Sequence, residues 1–170
     1  MPITTAFIST PDGTFRAEYS PQGLARLCFP GEPDSDIPAD SGTSPLSREL
    51  RRWQALTRAA LLEALRGRPP GVLPPLDLSS GTAFQQKVWH ALRKIGCRRT
   101  MTYGRIAAVI KKPKAARAVG AACGANPIPI FIPCHRVLPG SGGLGGFSAG
   151  LPWKRKLLAR EGILLAGDKL

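Results

Sequence analysis

The sequence predicts an α+β fold, with a small strand-and-helix unit followed by a mostly helical one, and three observations carry that prediction. Period-two alternation is confined to the first thirty residues, as in Phe15, Ala17 and Tyr19 against Arg16 and Glu18. Helical spacing of apolar residues governs most of the remaining chain. Charge divides the chain too: residues 1–80 hold 8 basic and 9 acidic side chains, net −1, whereas residues 81–170 hold 16 basic side chains and only Glu161 and Asp168, net +14. A 170-residue chain is long enough for two small domains, which places them at 1–78 and 79–170 with the proline-rich stretch 69–75 as connector.

In chain order, residues 13–19 and 23–29 read as two strands joined at Pro21-Gln22-Gly23, with Leu27 and Phe29 facing inward on the second. Residues 30–45 form an acidic Pro/Gly/Ser loop, and Ser44-Pro45 offers a cap and a first-turn proline for the next helix. Its apolar stripe runs through Leu46, Leu50, Trp53, Leu56, Ala60, Leu61 and Leu65 to Gly67. Thr82-Ala83-Phe84-Gln85 is a capping-box pattern opening a helix whose face is Phe84, Val88, Leu92 and Ile95. A helix from about Thr102 carries Ile106, Ala107, Val109 and Ile110; Lys111-Lys112-Pro113 interrupts it, and Lys114 to Ala125 reads as another. Two short helices across a basic turn outline a helix-turn-helix.

Between Ala115 and Ala125 only Arg117 is long and polar, the rest being Ala, Val, Gly and Cys. So thin a helix demands least widening of a minor groove ~6 Å across, while small residues also permit close packing in a core. Excess positive charge on a chain that is 43% hydrophobic points to a polyanionic partner rather than a disordered basic tail. Lys111, Lys112 and Lys114 are candidates for phosphate contact.

The chemistry gathers after Asn126. The proline-interrupted apolar run to Pro133 delivers Cys134, His135 and Arg136, and a cysteine beside an imidazole and a guanidinium has an environment that lowers a thiol's pKa. Cys134 is therefore the candidate nucleophile, against the alternative of an inert buried cysteine. Cys28, Cys97, Cys123 and Cys134 form no C-x-x-C pair, which argues against a zinc knuckle or a disulfide framework and for free thiols in a reducing cytoplasm. The N-terminus has no positively charged, apolar leader, and no apolar run approaches the ~20 residues of a membrane span. The glycine-rich stretch 140–150 lacks the Gly-Lys-Ser/Thr of a phosphate loop.

Phe84-Gln85-Gln86-Lys87-Val88-Trp89, Thr102-Tyr103-Gly104, the Ala116-Arg117-Ala118-Val119-Gly120 helix, Asn126, Pro133-Cys134-His135-Arg136-Val137 and Leu157-Leu158-Ala159-Arg160-Glu161-Gly162 occur in order. This half of the chain, about 82–162, resembles the O6-alkylguanine-DNA alkyltransferases; the N-terminal half matches only loosely. The resemblance implies a ribonuclease-H-like N-terminal domain and a helical C-terminal domain that holds the helix-turn-helix and active site. It implies a monomer that binds duplex DNA through the minor groove, its cooperativity left open, and flips out O6-alkylguanine or O4-alkylthymine. The alkyl group then moves irreversibly to Cys134, without a cofactor.

On this resemblance His135 deprotonates the thiol through a water, Glu161 orients it, Tyr103 assists proton donation to the leaving guanine, and Asn126 is a hinge. Arg117 would fill the gap left by the flipped base, with Tyr103, Gly104, Lys112, Lys114, Ala116 and Arg136 as further DNA contacts. The glycine-rich loop would line the alkyl pocket, with Phe147, Ser148 and Trp153 as its walls. Phe147 stands where many members have tyrosine, which makes the pocket more apolar; the zinc ligands of some eukaryotic members have no counterpart, so no metal is expected. An alkyltransferase-like protein that only binds the lesion usually lacks the acceptor cysteine, and a Cys-His hydrolase has no obvious use for a half-chain charge of +14.

Overall fold

The computed structural model describes residues 3–32 and 47–165. Its first thirty residues form a three-stranded antiparallel sheet in the order β1 (Thr4–Thr10), β2 (Gly13–Ser20), β3 (Gly23–Cys28). Phe15, Ala17 and Tyr19 of β2 are buried, as the alternation requires. β1 is an addition to the sequence reading. In it only Ile8 is fully buried, Ser9 is exposed and the other residues are part-covered, so this edge strand shows no clean two-residue period. Its turn was nonetheless written in Pro11-Asp12-Gly13, a combination suited to reversing the chain, with Gly13 at φ +116°.

α1 (Arg48–Leu65) lays Ala60, Leu61 and Leu65 into the core, and the Tyr19 hydroxyl donates to Thr57 Oγ1 (2.8 Å), pinning sheet to helix. The helix is capped by Ser47, whose Oγ accepts from the Leu50 amide (3.1 Å). The expected cap Ser44-Pro45, Leu46 of the stripe, and most of the acidic loop lie outside the described residues. The proline-rich connector does not run free: the Leu24 amide donates to Pro75 O and the Asp77 amide to Leu24 O, each at 2.8 Å, so it lies along β3.

α2 (Ala83–Leu92) opens with both halves of its capping box formed between Thr82 and Gln85. α3 (Tyr103–Val109) is capped by Thr102, and α4 (Ala116–Gly124) packs on both α2 and α3. Trp89 of α2 donates Nε1–H to the Ala122 carbonyl (2.8 Å), which fixes the height of α4. A two-stranded parallel pair, β4 (Met101–Thr102) with β5 (Val137–Leu138), ties the start of α3 to the segment after Cys134. α5 (Leu151–Arg160) comes after the glycine-rich loop. Its Trp153 packs on Phe29 and Phe15, with centroids 4.8 and 5.7 Å away, so the sheet and the helices share one hydrophobic core. Among the described residues no helix is long and apolar enough to cross a membrane.

Candidate active site

Past α4 the chain is shaped by Asn126. Its Oδ1 accepts from the Ile128 amide (3.0 Å), and its Nδ2 donates to Ile132 O (2.7 Å) and to Cys134 Sγ (3.2 Å). One buried amide thus closes the loop 126–132 and touches the thiol; Ile130 at its tip is forced to φ +76°, a conformation costly for a β-branched residue.

Cys134, His135 and Arg136 then form a 3₁₀ turn, in which successive side chains diverge by about a third of a revolution. Cys134 faces a cavity of about 460 Å³ whose wall includes Tyr103, Gly120, Cys123, Phe147 and Ser148. His135 and Arg136 turn instead to Glu161, at the end of α5. His135 Nε2 lies 2.9 Å from Glu161 Oε1; the Arg136 guanidinium donates Nη2–H to Oε1 (2.8 Å) and Nε–H to Oε2 (3.0 Å), and its Nη1 donates to Ile95 O (2.6 Å). The Arg98 amide adds a bond to Oε2 (3.3 Å), from a backbone at φ +64°.

Burial pushes the Glu161 carboxyl up, but the hydrogen bonds and charges of His135 and Arg136 outweigh it and hold its pKa down at about 2. Burial lowers the His135 pKa below its ordinary value, with Glu161 opposing and Arg136 reinforcing the shift. The imidazole is therefore neutral near pH 7. With Nε2–H directed at the carboxylate, Nδ1 keeps its lone pair, and that buried nitrogen has no hydrogen-bond partner among the described residues.

The thiol corrects the sequence reading. Burial raises the Cys134 pKa, against the bond from Asn126, the charge of Lys154 and the backbone N–H groups of Cys134 and His135, and neither the His135 imidazole nor the Arg136 guanidinium supplies the lowering expected of neighbours. Arg136 is likewise withdrawn from the proposed DNA contacts: it is 8% exposed and fully engaged inside. Trp153 is not part of the cavity wall, because the first turn of α5 aims its ring at Phe15 and Phe29 on the sheet side. Lys154 was missed altogether. It is completely buried, and its Nζ donates to Val137 O (2.7 Å) and Gly146 O (3.1 Å), clamping the glycine-rich loop beside the cysteine turn. The spacing Lys154, Leu157, Leu158, Glu161 placed it on the buried face of α5, a signal available in the sequence.

Tyr103 is half-buried at the start of α3, and burial raises its hydroxyl pKa. Gly104, Lys112, Lys114 and Arg117 are exposed on the α3–α4 side, with Ala116 part-covered. Arg117, Gly120 and Gly124 fall on one face of α4, so the arginine stands one turn before the cavity wall.

Residues 83–163 match the family described as 6-O-methylguanine DNA methyltransferase, DNA binding domain. The chain is 54% identical over 87 residues to a methylated-DNA–protein-cysteine methyltransferase of Salmonella typhimurium, covering 51% of each protein. It is 43% identical over 118 residues to the Shigella flexneri protein of that name, covering 67% of this chain and 69% of that one. A crystal structure of Mycobacterium tuberculosis OGT in complex with DNA superposes with a TM-score of 0.73 at 36% identity, covering 91% of this chain and 90% of that one. The chain spans about half or less of the length of several other relatives it matches.

Proposed function

The chain belongs to the methylated-DNA–protein-cysteine methyltransferase family, and from that premise we propose that it repairs duplex DNA by moving one alkyl group from O6 of guanine, or O4 of thymine, onto Cys134. The observation that carries this reading is the join of a cavity-facing thiol to a buried His135–Glu161–Arg136 cluster whose free nitrogen is a base. A thiol with a raised pKa is a poor nucleophile until something takes its proton.

The proton passes from Cys134 Sγ through a water to His135 Nδ1, and the anionic Glu161 stabilises the imidazolium that forms. The thiolate attacks the alkyl carbon; the S–C bond forms as the C–O6 bond breaks, and guanine leaves with a proton assisted by the Tyr103 hydroxyl. The Asn126 amide donates to sulfur throughout and favours its anion. The product is a thioether, which water does not cleave, so each molecule acts once.

Access requires the base to leave the stack. In this reading α3 and α4 act as a helix-turn-helix, α4 enters the minor groove, and Arg117 occupies the space left by the flipped nucleotide. Gly104, Lys112, Lys114 and Ala116 meet the backbone, and Phe147 and Ser148 border the alkyl group. The chain works as a monomer, with a ribonuclease-H-like unit over 1–78 and the DNA-handling unit over 79–170. Four free thiols fit a reducing compartment.

The variant Cys134→Ser tests the acceptor. It should bind a duplex holding O6-methylguanine about as well as the native chain in gel-shift titration and transfer nothing; methyl removal by this variant would overturn the assignment.

A further inference from the structure

We propose that the N-terminal half positions Glu161, acting through Asp12 in the β1–β2 turn and Gly67 just past α1, so that the His135–Glu161 pair stays aligned. The inference rests on the proton-relay reading of Cys134, His135 and Glu161, and gives that half a part in the chemistry without contact with substrate.

Glu161 sits where α5 ends, and helix ends fray unless something ties them down. The ties come from the other half of the chain. The Arg160 guanidinium grips the Asp12 carboxylate with both arms, Nη1 to Oδ2 at 2.6 Å and Nη2 to Oδ1 at 2.8 Å, and Nη1 also donates to Leu65 O (3.0 Å). Lys156 approaches the same carboxylate at 3.4 Å. Gly67 is buried at φ +74°, and a Cβ there would collide with the Arg160 carbonyl and come within 3.1 Å of the Glu161 nitrogen. Its own carbonyl accepts from Cys97 Sγ (3.4 Å), one residue before the Arg98 amide that donates to Glu161 Oε2.

Gly67 therefore lies against both backbone stretches that fix the glutamate, the one that carries it and the one that bonds to it. Asp12 locks the first stretch from outside. A displacement of the order of an ångström at a proton relay can slow a reaction far more than it destabilises a fold.

The test compares the unaltered 170-residue chain with Asp12→Asn and Asp12→Glu, using duplex containing O6-methylguanine. Three readouts are taken: the single-turnover rate at Cys134 across pH, duplex Kd, and nitrogen NMR of the His135 ring, assigned with His90→Gln. Asp12→Asn should slow transfer roughly tenfold with Kd unchanged. Because Glu161 raises the His135 pKa, loosening it should move the acid limb of the rate profile and the imidazole titration to lower pH. Asp12→Glu should recover part of each. Native rate, acid limb and ring titration in Asp12→Asn, with only a lower Tm, would overturn the proposal. Should Asp12→Asn fail to fold, Arg160→Lys, which keeps the charge and loses the fork, is read the same way. Absence of transfer by the native chain would instead sink the parent reading, and the NMR titration would still decide this one.

Discussion

Cys134 is buried at 4% exposure with its thiol pKa raised, so in the proposed relay its reactivity is on demand, with His135 as the base and Glu161 as the counter-charge. The acid side of the rate profile should then track His135. Since its pKa is lowered, the base stays neutral down through the ordinary histidine range, and transfer should fall only below about pH 6.5, in single-turnover assays at stepped pH. Glu161 has the opposite consequence for stability. Its carboxyl falls from an ordinary 4.5 to about 2, so its contribution is fully present above the ordinary value and lost as pH falls through the folded one. Glu161→Gln leaves the Arg136 guanidinium buried without its counter-charge, and should cost about 3–5 kcal/mol in denaturant unfolding near neutral pH, with the deficit shrinking in acid. Cys134, His135 and Glu161 were legible in the sequence as residue types at family spacing. The direction of Arg136 was not: a guanidinium beside a cysteine reads as a thiol activator or phosphate contact, and only the 3₁₀ turn, with Glu161 arriving 25 residues later in chain order, turns it inward.

At the scale of elements, α4 divides its labour between an exposed Arg117 and a small-residue face that leaves room for the cavity at Gly120 and Gly124. Arg117→Ala should weaken duplex binding and slow transfer from DNA, while transfer from a free O6-alkylguanine base, measured by alkylation of Cys134, keeps its native rate. Equal losses on both substrates would remove the arginine from base flipping. The capping box of α2 and the start of α3 at Thr102 were readable because a few local residues decide them. β1 was harder, since an edge strand with one fully buried side chain has no period to display. The connector 69–75 was readable as a break in structure, but its docking on β3 depends on Leu24 backbone groups that no sequence pattern advertises.

Across the whole molecule, the +14 of residues 81–170 is not all available to a polyanion. Arg136 is spent on Glu161, Lys154 on two carbonyls inside, and Arg160 on Asp12. Non-specific affinity should therefore depend on exposed groups such as Lys112 and Lys114. Replacing either by Ala should reduce the slope of log Kd against log salt by roughly one, with little effect on preference for the lesion. In the proposed function, charge gathers the partner and a nearly uncharged cavity decides what is done to it. That claim meets its most direct test in the mass of the tryptic peptide that holds Cys134, taken after the chain has been mixed with excess duplex containing O6-methylguanine. The account predicts a gain of one methyl group on Cys134, one per molecule however long the mixture stands; an unmodified Cys134, or repair that continues past one equivalent, would contradict it.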